Sequence, residues 1–132
     1  MKITTVIARF ILGLIFLVFG LNGFLHFLPL SPPPPGTAAQ FFGALFISNY
    51  LVVVFLLQIV SAILLLLNRY VPLALTLLAP IIVNILLIHL LMVPSGLPLA
   101  IVVTVLWLIV FLSMRSAFAG LFQQRVPVQV LR

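Results

Sequence analysis

The sequence predicts an all-α membrane protein: a bundle of four transmembrane helices, both termini cytoplasmic (N-in/C-in), with a short interfacial helix between spans one and two. Three observations carry this. Of the 132 residues, 66% are hydrophobic and 5% charged, whereas about a quarter of a soluble domain is charged. Four apolar stretches approach the ~20 residues that a membrane-crossing helix needs. Six basic residues, with no acidic residue anywhere in the chain, all fall on one side of a four-span threading.

The whole chain, 1–132, reads as a single membrane domain. The first span is expected at about 4–28. Lys2 ahead of an apolar run resembles a signal peptide, but the run is longer than the ~7–15 residues of that class and no small-residue cleavage site follows it. It reads as a retained helix. Pro29, Pro32 to Pro35 and Gly36 end it, since consecutive prolines favour an extended link. The apolar stretch that follows is too long for one span and divides at Ser48-Asn49-Tyr50. An interfacial helix at about 38–47 precedes the second span at about 50–67, with Tyr50 at headgroup level.

Asn68-Arg69-Tyr70 forms a polar turn, and Pro72 suits the first turn of the third span, about 71–93. Pro80 inside that span leaves the Thr76 carbonyl without its usual donor, so a kink is expected. Pro94-Ser95-Gly96 turns into the fourth span, about 97–112. Ser113 to Phe122 continues as an amphipathic end, and 123–132 is a loose tail.

Lys2 and Arg9 precede span one, Arg69 lies between spans two and three, and Arg115, Arg125 and Arg132 follow span four. That side is therefore expected to be cytoplasmic. The scattered cations form no patch or stripe, which argues against nucleic acid despite the net charge of +6. The absence of cysteine excludes a disulfide, a thiolate metal site and a CxxC relay within the chain. The absence of Asp and Glu removes carboxylate proton relays, carboxylate bases and oxygen-ligand metal cages.

Few polar residues interrupt the spans, and five form the candidate site: Asn22, His26, Gln58, Asn84 and His89. Asn22 and His26 share a face of span one. At ~1.5 Å rise per residue, Asn22 and Asn84 lie roughly 20 Å from the cytoplasmic ends and His26 and His89 roughly 28 Å. An amide layer beneath a histidine layer, open to the outer face, is one reading. Asn84 and His89, five apart, point to different faces unless the kink rotates them. The plainer reading is interhelical hydrogen bonding, worth ~1 kcal/mol each. A histidine pair across two helices is also a haem-ligand arrangement. A quinone headgroup needs only one or two hydrogen-bond partners in an aromatic cleft, for which Phe16, Phe19, Phe24, Phe27 and Trp107 offer walls. Gly13 and Gly20, two turns apart, mark a face for close helix packing. Arg9 is expected to snorkel toward lipid phosphate.

The run Arg9-Phe-Ile-Leu-Gly13-Leu-Ile-Phe16-Leu-Val-Phe-Gly20-Leu-Asn22-Gly-Phe24 resembles the first helix of the DoxX family. The proline-containing outer link and Leu64 to Asn68 followed by Arg69-Tyr-Val-Pro72 resemble its second helix and turn. Ala79-Pro80-Ile-Ile-Val-Asn84-Ile-Leu-Leu-Ile-His89 is similar to its third helix. The resemblance spans Arg9 to about Phe122. It implies a small bacterial four-helix inner-membrane protein, and some such proteins are subunits of quinone-linked oxidoreductases. Relatives often carry a glutamate where Gln58 stands and a lysine where Gly23 stands.

Three functions follow as expectations. The first is an accessory membrane subunit of a quinone-linked redox system, without catalytic activity of its own and with a redox enzyme or a second copy as partner. The second is an oxidoreductase component binding a quinone or small lipophile through the polar residues. The third, a small transporter, fits least, because four-helix exporters commonly use a membrane carboxylate.

Overall fold

The computed structural model describes residues 2–29 and 34–129. Residues 30–33 of the expected proline link and 130–132 of the tail, including Arg132, lie outside the described residues. The described chain contains helices α1 (Ile3–Leu25), α2 (Thr37–Ile47), α3 (Tyr50–Leu67), α4 (Val71–Leu91) and α5 (Leu97–Ser113). A 3₁₀ turn, Pro94–Gly96, joins α4 to α5, and a 3₁₀ segment, Arg115–Phe122, follows α5. No strand occurs among the described residues.

Four helices are long and apolar enough to cross a membrane: α1, α3, α4, and α5 together with its leading 3₁₀ turn. They form a closed ring in which α1 and α4 each pack on both α3 and α5. The direction of packing follows from paired residues. As α1 advances from Arg9 and Gly13 to Gly20 and Gly23, its partners on α3 recede from Leu65 and Leu66 to Ile59 and Phe55. α1 and α3 are therefore antiparallel. Trp107 of α5 donates its indole N–H to the Leu75 carbonyl of α4 at 3.0 Å, and short turns join α3 to α4 and α4 to α5. The bundle runs up, down, up, down. The start of α1 meets the end of α5, where Lys2, Thr4 and Thr5 face Ile109, Leu112 and Ser113. Lys2, Arg69 and Arg115 accordingly share one end.

The core is a column of aliphatic and small residues, with Leu12, Ala62, Leu65, Leu75, Leu78 and Val110 fully buried. The outward faces are equally apolar, as Phe10, Leu14, Val53, Leu87 and Val105 show. A helix whose exposed side carries such residues does not suit water. α2 lies outside the ring. It packs on α3, buries Ala38, half-buries Phe42 and Leu45, and leaves Phe46 exposed.

The structure departs from the expected boundaries in two places, each for a local reason. α1 stops at Leu25 rather than Leu28. His26 takes a left-handed conformation with φ of 51° and bonds its N–H to the Asn22 carbonyl. The Asn22 side-chain oxygen then accepts the Leu28 N–H at 2.8 Å, so one residue closes the helix twice. α4 stops at Leu91 rather than Val93, because the N–H groups of Met92 and Val93 both turn back to the Ile88 carbonyl. α4 continues through Pro80.

Arg9 also departs from expectation. It does not snorkel: it is 8% exposed and donates from a terminal guanidinium nitrogen to the Leu65 carbonyl in the last turn of α3. Carbonyls at a helix C-terminus carry partial negative charge and lack intrahelical donors. Arg9 therefore caps α3 from α1, and Gly13, one turn on, lets the two backbones close. A Cβ at Gly13 would lie 3.0 Å from Leu66, and one at Gly20 would lie 2.8 Å from Ile59.

Gly20→Leu should force α1 off α3 and destabilise the detergent-solubilised protein by ~1–3 kcal/mol or more, as overpacked cores do. A thermal melt beside wild type measures this; an unchanged midpoint would remove the close-packed seam from the account.

Candidate functional site

At the end of the bundle opposite the basic residues, the four long helices part around a cavity of about 300 Å³. α1 contributes Ile15, Phe16, Phe19, Asn22 and Gly23, and α3 contributes Phe55 and Gln58. α4 adds Ile85 and His89, and α5 adds Leu99, Ala100 and Val103. Its size lies at the lower end of the ~300–1,000 Å³ range of small-molecule pockets. Apolar and aromatic walls with a few polar groups are the usual lining of such sites.

Each polar group is held by its own element. Asn22 lies in the last turn of α1, its amide oxygen tied to the Leu28 N–H as above. His89 lies in the last turn of α4, where its Nδ1 meets the Val93 carbonyl at 2.9 Å. The imidazole rests on Gly96 of the returning turn so closely that a Cβ there would overlap the ring. Gln58 projects from the buried face of α3 and is 7% exposed. Its Oε1 is buried without a hydrogen-bond partner, as is the Oγ of Ser61 one turn further along. Buried polar atoms in that state are uncommon in folded proteins.

The walls depend on a second glycine. Gly23 faces the Phe55 ring, which a Cβ at that position would overlap. Phe24 braces Phe55 from the side in an edge contact, with centroids 6.0 Å apart.

The fold thus brings together three of the five predicted site residues: Asn22, Gln58 and His89. The other two lie elsewhere. Asn84 is exposed on the outer face of α4 and donates its Nδ2 to the Pro80 carbonyl at 2.8 Å. That bond is local, within one turn, and the amide plays no part in the cavity. His26 is the exposed left-handed residue that ends α1, and it does not line the cavity. The expected amide and histidine layers therefore reduce to one asparagine, one glutamine and one histidine. The histidines do not face each other across the cavity, so a bis-histidine haem does not fit it. Of the expected aromatic walls, Phe16 and Phe19 line the cavity. Phe27 is exposed, and Trp107 is spent on the Leu75 bond and on stacking with Phe111 at 5.0 Å.

Phe55, Gly23 and Gly96 shape the site, and the sequence does not single them out for it. Phe55 is one of many phenylalanines, and Gly96 reads as turn punctuation. No known protein family, no curated protein and no solved structure matches this chain.

Gly96→Ala should displace the His89 ring from the Val93 carbonyl and lower stability by ~1–3 kcal/mol. Gly43→Ala, where a Cβ meets open space, should be neutral or stabilising by up to ~1 kcal/mol. Parallel melts of the two variants in detergent check the contrast; equal behaviour would show that Gly96 does not set the ring.

Proposed function

We propose that this chain is a bacterial inner-membrane protein of DoxX type. Its bundle holds a small lipophilic ring compound for a quinone-linked redox system. The carrying observation is the cavity itself: Asn22, Gln58 and His89 converge inside an otherwise apolar, aromatic lining. A quinone-type ring fits this set. Phe16, Phe19 and Phe55 would flank the ring, and the three polar side chains would hold its oxygens. When bound, such a group supplies reversible two-electron, two-proton chemistry. The residues here bind and orient it, and the packed walls keep water away.

The DoxX resemblance supports the same reading from another side. The two positions at which relatives often carry charge, Gly23 and Gln58, both line this cavity. This chain places a close-packed glycine and a neutral amide there. With no Cys, Asp or Glu in the chain, the protein itself is an accessory or membrane subunit, and the electron transfer belongs to a partner enzyme. The basic end of the bundle faces the cytoplasm, both termini lie there, and α2 rests at the outer membrane interface. The cavity then opens toward the outer leaflet.

Organic extraction of the purified protein should release a redox-active ring compound at near-stoichiometric yield. His89→Ala should lose most of it, and Asn84→Ala should keep it. Extracts containing only bulk phospholipid from all three proteins would overturn the binding reading.

The cysteine-free chain also permits a direct test of threading. In intact cells, Ser95→Cys should react with a membrane-impermeant maleimide, and Ser116→Cys should react only after permeabilisation. The reverse pattern would invert the orientation.

A further inference from the structure

Backbone partners fix the polarity of two of the cavity's hydrogen-bonding groups, Asn22 and His89. The Leu28 N–H can only donate, so the Asn22 atom 2.8 Å from it is the oxygen. That leaves the Asn22 Nδ2 as a donor with no side-chain or backbone acceptor among the described residues. The Val93 carbonyl can only accept, so the His89 nitrogen facing it at 2.9 Å, Nδ1, carries the proton. In the neutral ring, Nε2 is then an acceptor. The Gln58 amide carries both a donor, Nε2, and an acceptor, Oε1, and its oxygen is buried without a partner. The lining therefore combines one fixed donor from α1 with one unmet acceptor from α4 and an amide of either sense from α3.

We infer that the site selects a hydroxyl-bearing ring, of the phenol or hydroquinone class, over the corresponding carbonyl form. This rests on the reading that the cavity takes a small lipophile, and it narrows the chemistry of that lipophile's head. A ring hydroxyl both donates and accepts, so a hydroquinone satisfies Asn22 Nδ2 and still offers a proton to His89 Nε2, while the Gln58 amide meets either form of the ring. A quinone carbonyl only accepts. It engages Asn22 and leaves the His89 Nε2 acceptor against a ligand that has no proton to give. A site built around a hydroxyl rejects an analogue without one because its own polar groups are then left unpaired.

Three matched probes test this on the full-length protein: decylhydroquinone, decylbenzoquinone and the decylated dimethoxybenzene. Equilibrium binding is measured in detergent micelles under argon at one fixed, mildly alkaline pH and corrected for partition into protein-free micelles. The hydroquinone should bind roughly tenfold or more tightly than either of the others. Replacing the acceptor, as His89→Phe, should cut hydroquinone affinity by about tenfold while leaving benzoquinone affinity nearly unchanged. Benzoquinone binding as tight as hydroquinone binding to wild type overturns the selectivity and leaves the lipophile site standing. Binding of none of the three overturns the site and the selectivity together. The wild-type series decides the matter even where the variant fails to fold.

Discussion

The seam between α1 and α3 is the contact on which the rest of the structure depends. At its basic end Arg9 reaches across to the Leu65 carbonyl and closes the C-terminus of α3. Gly13 and Gly20 then let the helices approach until Leu66 and Ile59 stand where side chains would otherwise be. Past Gly20 the seam changes character. Gly23 makes room for the Phe55 ring, Gln58 enters from α3, and the helices open around the cavity. One line of small residues thus produces a sealed half and an open half of the same bundle.

Polar side chains in the spans divide in the same way. Thr76, Asn84, Thr104 and Ser113 each bond to a carbonyl three or four residues earlier in their own helix. A hydroxyl or amide satisfied within its own turn sits in an apolar medium at little cost, and it carries no information about a ligand. Asn22 and His89 instead bond beyond their helices' last turns, fixing one end of each side chain and leaving the other end free. Gln58 has no bond to protein at its oxygen. The difference between these groups, and not their number, distinguishes a site from ordinary helix chemistry.

Arg9 shows why local rules misplace charge. Near a helix start, a basic side chain in an apolar run ordinarily extends toward headgroups. Here the antiparallel neighbour ends at the same level, and its terminal carbonyls offer a nearer partner. The guanidinium Nε remains buried without a partner, so the cap is incomplete, and the close packing around Gly13 holds it in place. Asn84 errs in the opposite sense. Its depth matches Asn22 along the helix axis, but its face does not. Depth follows from residue count, whereas facing depends on how α4 is rotated against α3 and α5.

The sequence by itself determined the elements: four long apolar helices, a short helix after the first, and turns at Asn68-Arg69-Tyr70 and Pro94-Ser95-Gly96. Those features are local, set by hydrophobic length, proline and glycine. It also supplied the five polar candidates, because so few polar residues interrupt the spans. Only the tertiary structure decided which of them meet. Helix rotation and the two returning chain ends bring Asn22, Gln58 and His89 to one cavity, and turn Asn84 and His26 away. Phe55 and Gly96 enter the site solely through contacts with residues distant in the chain or across a turn. Such contacts are a property of packing between helices, and no pattern within a single apolar helix encodes them.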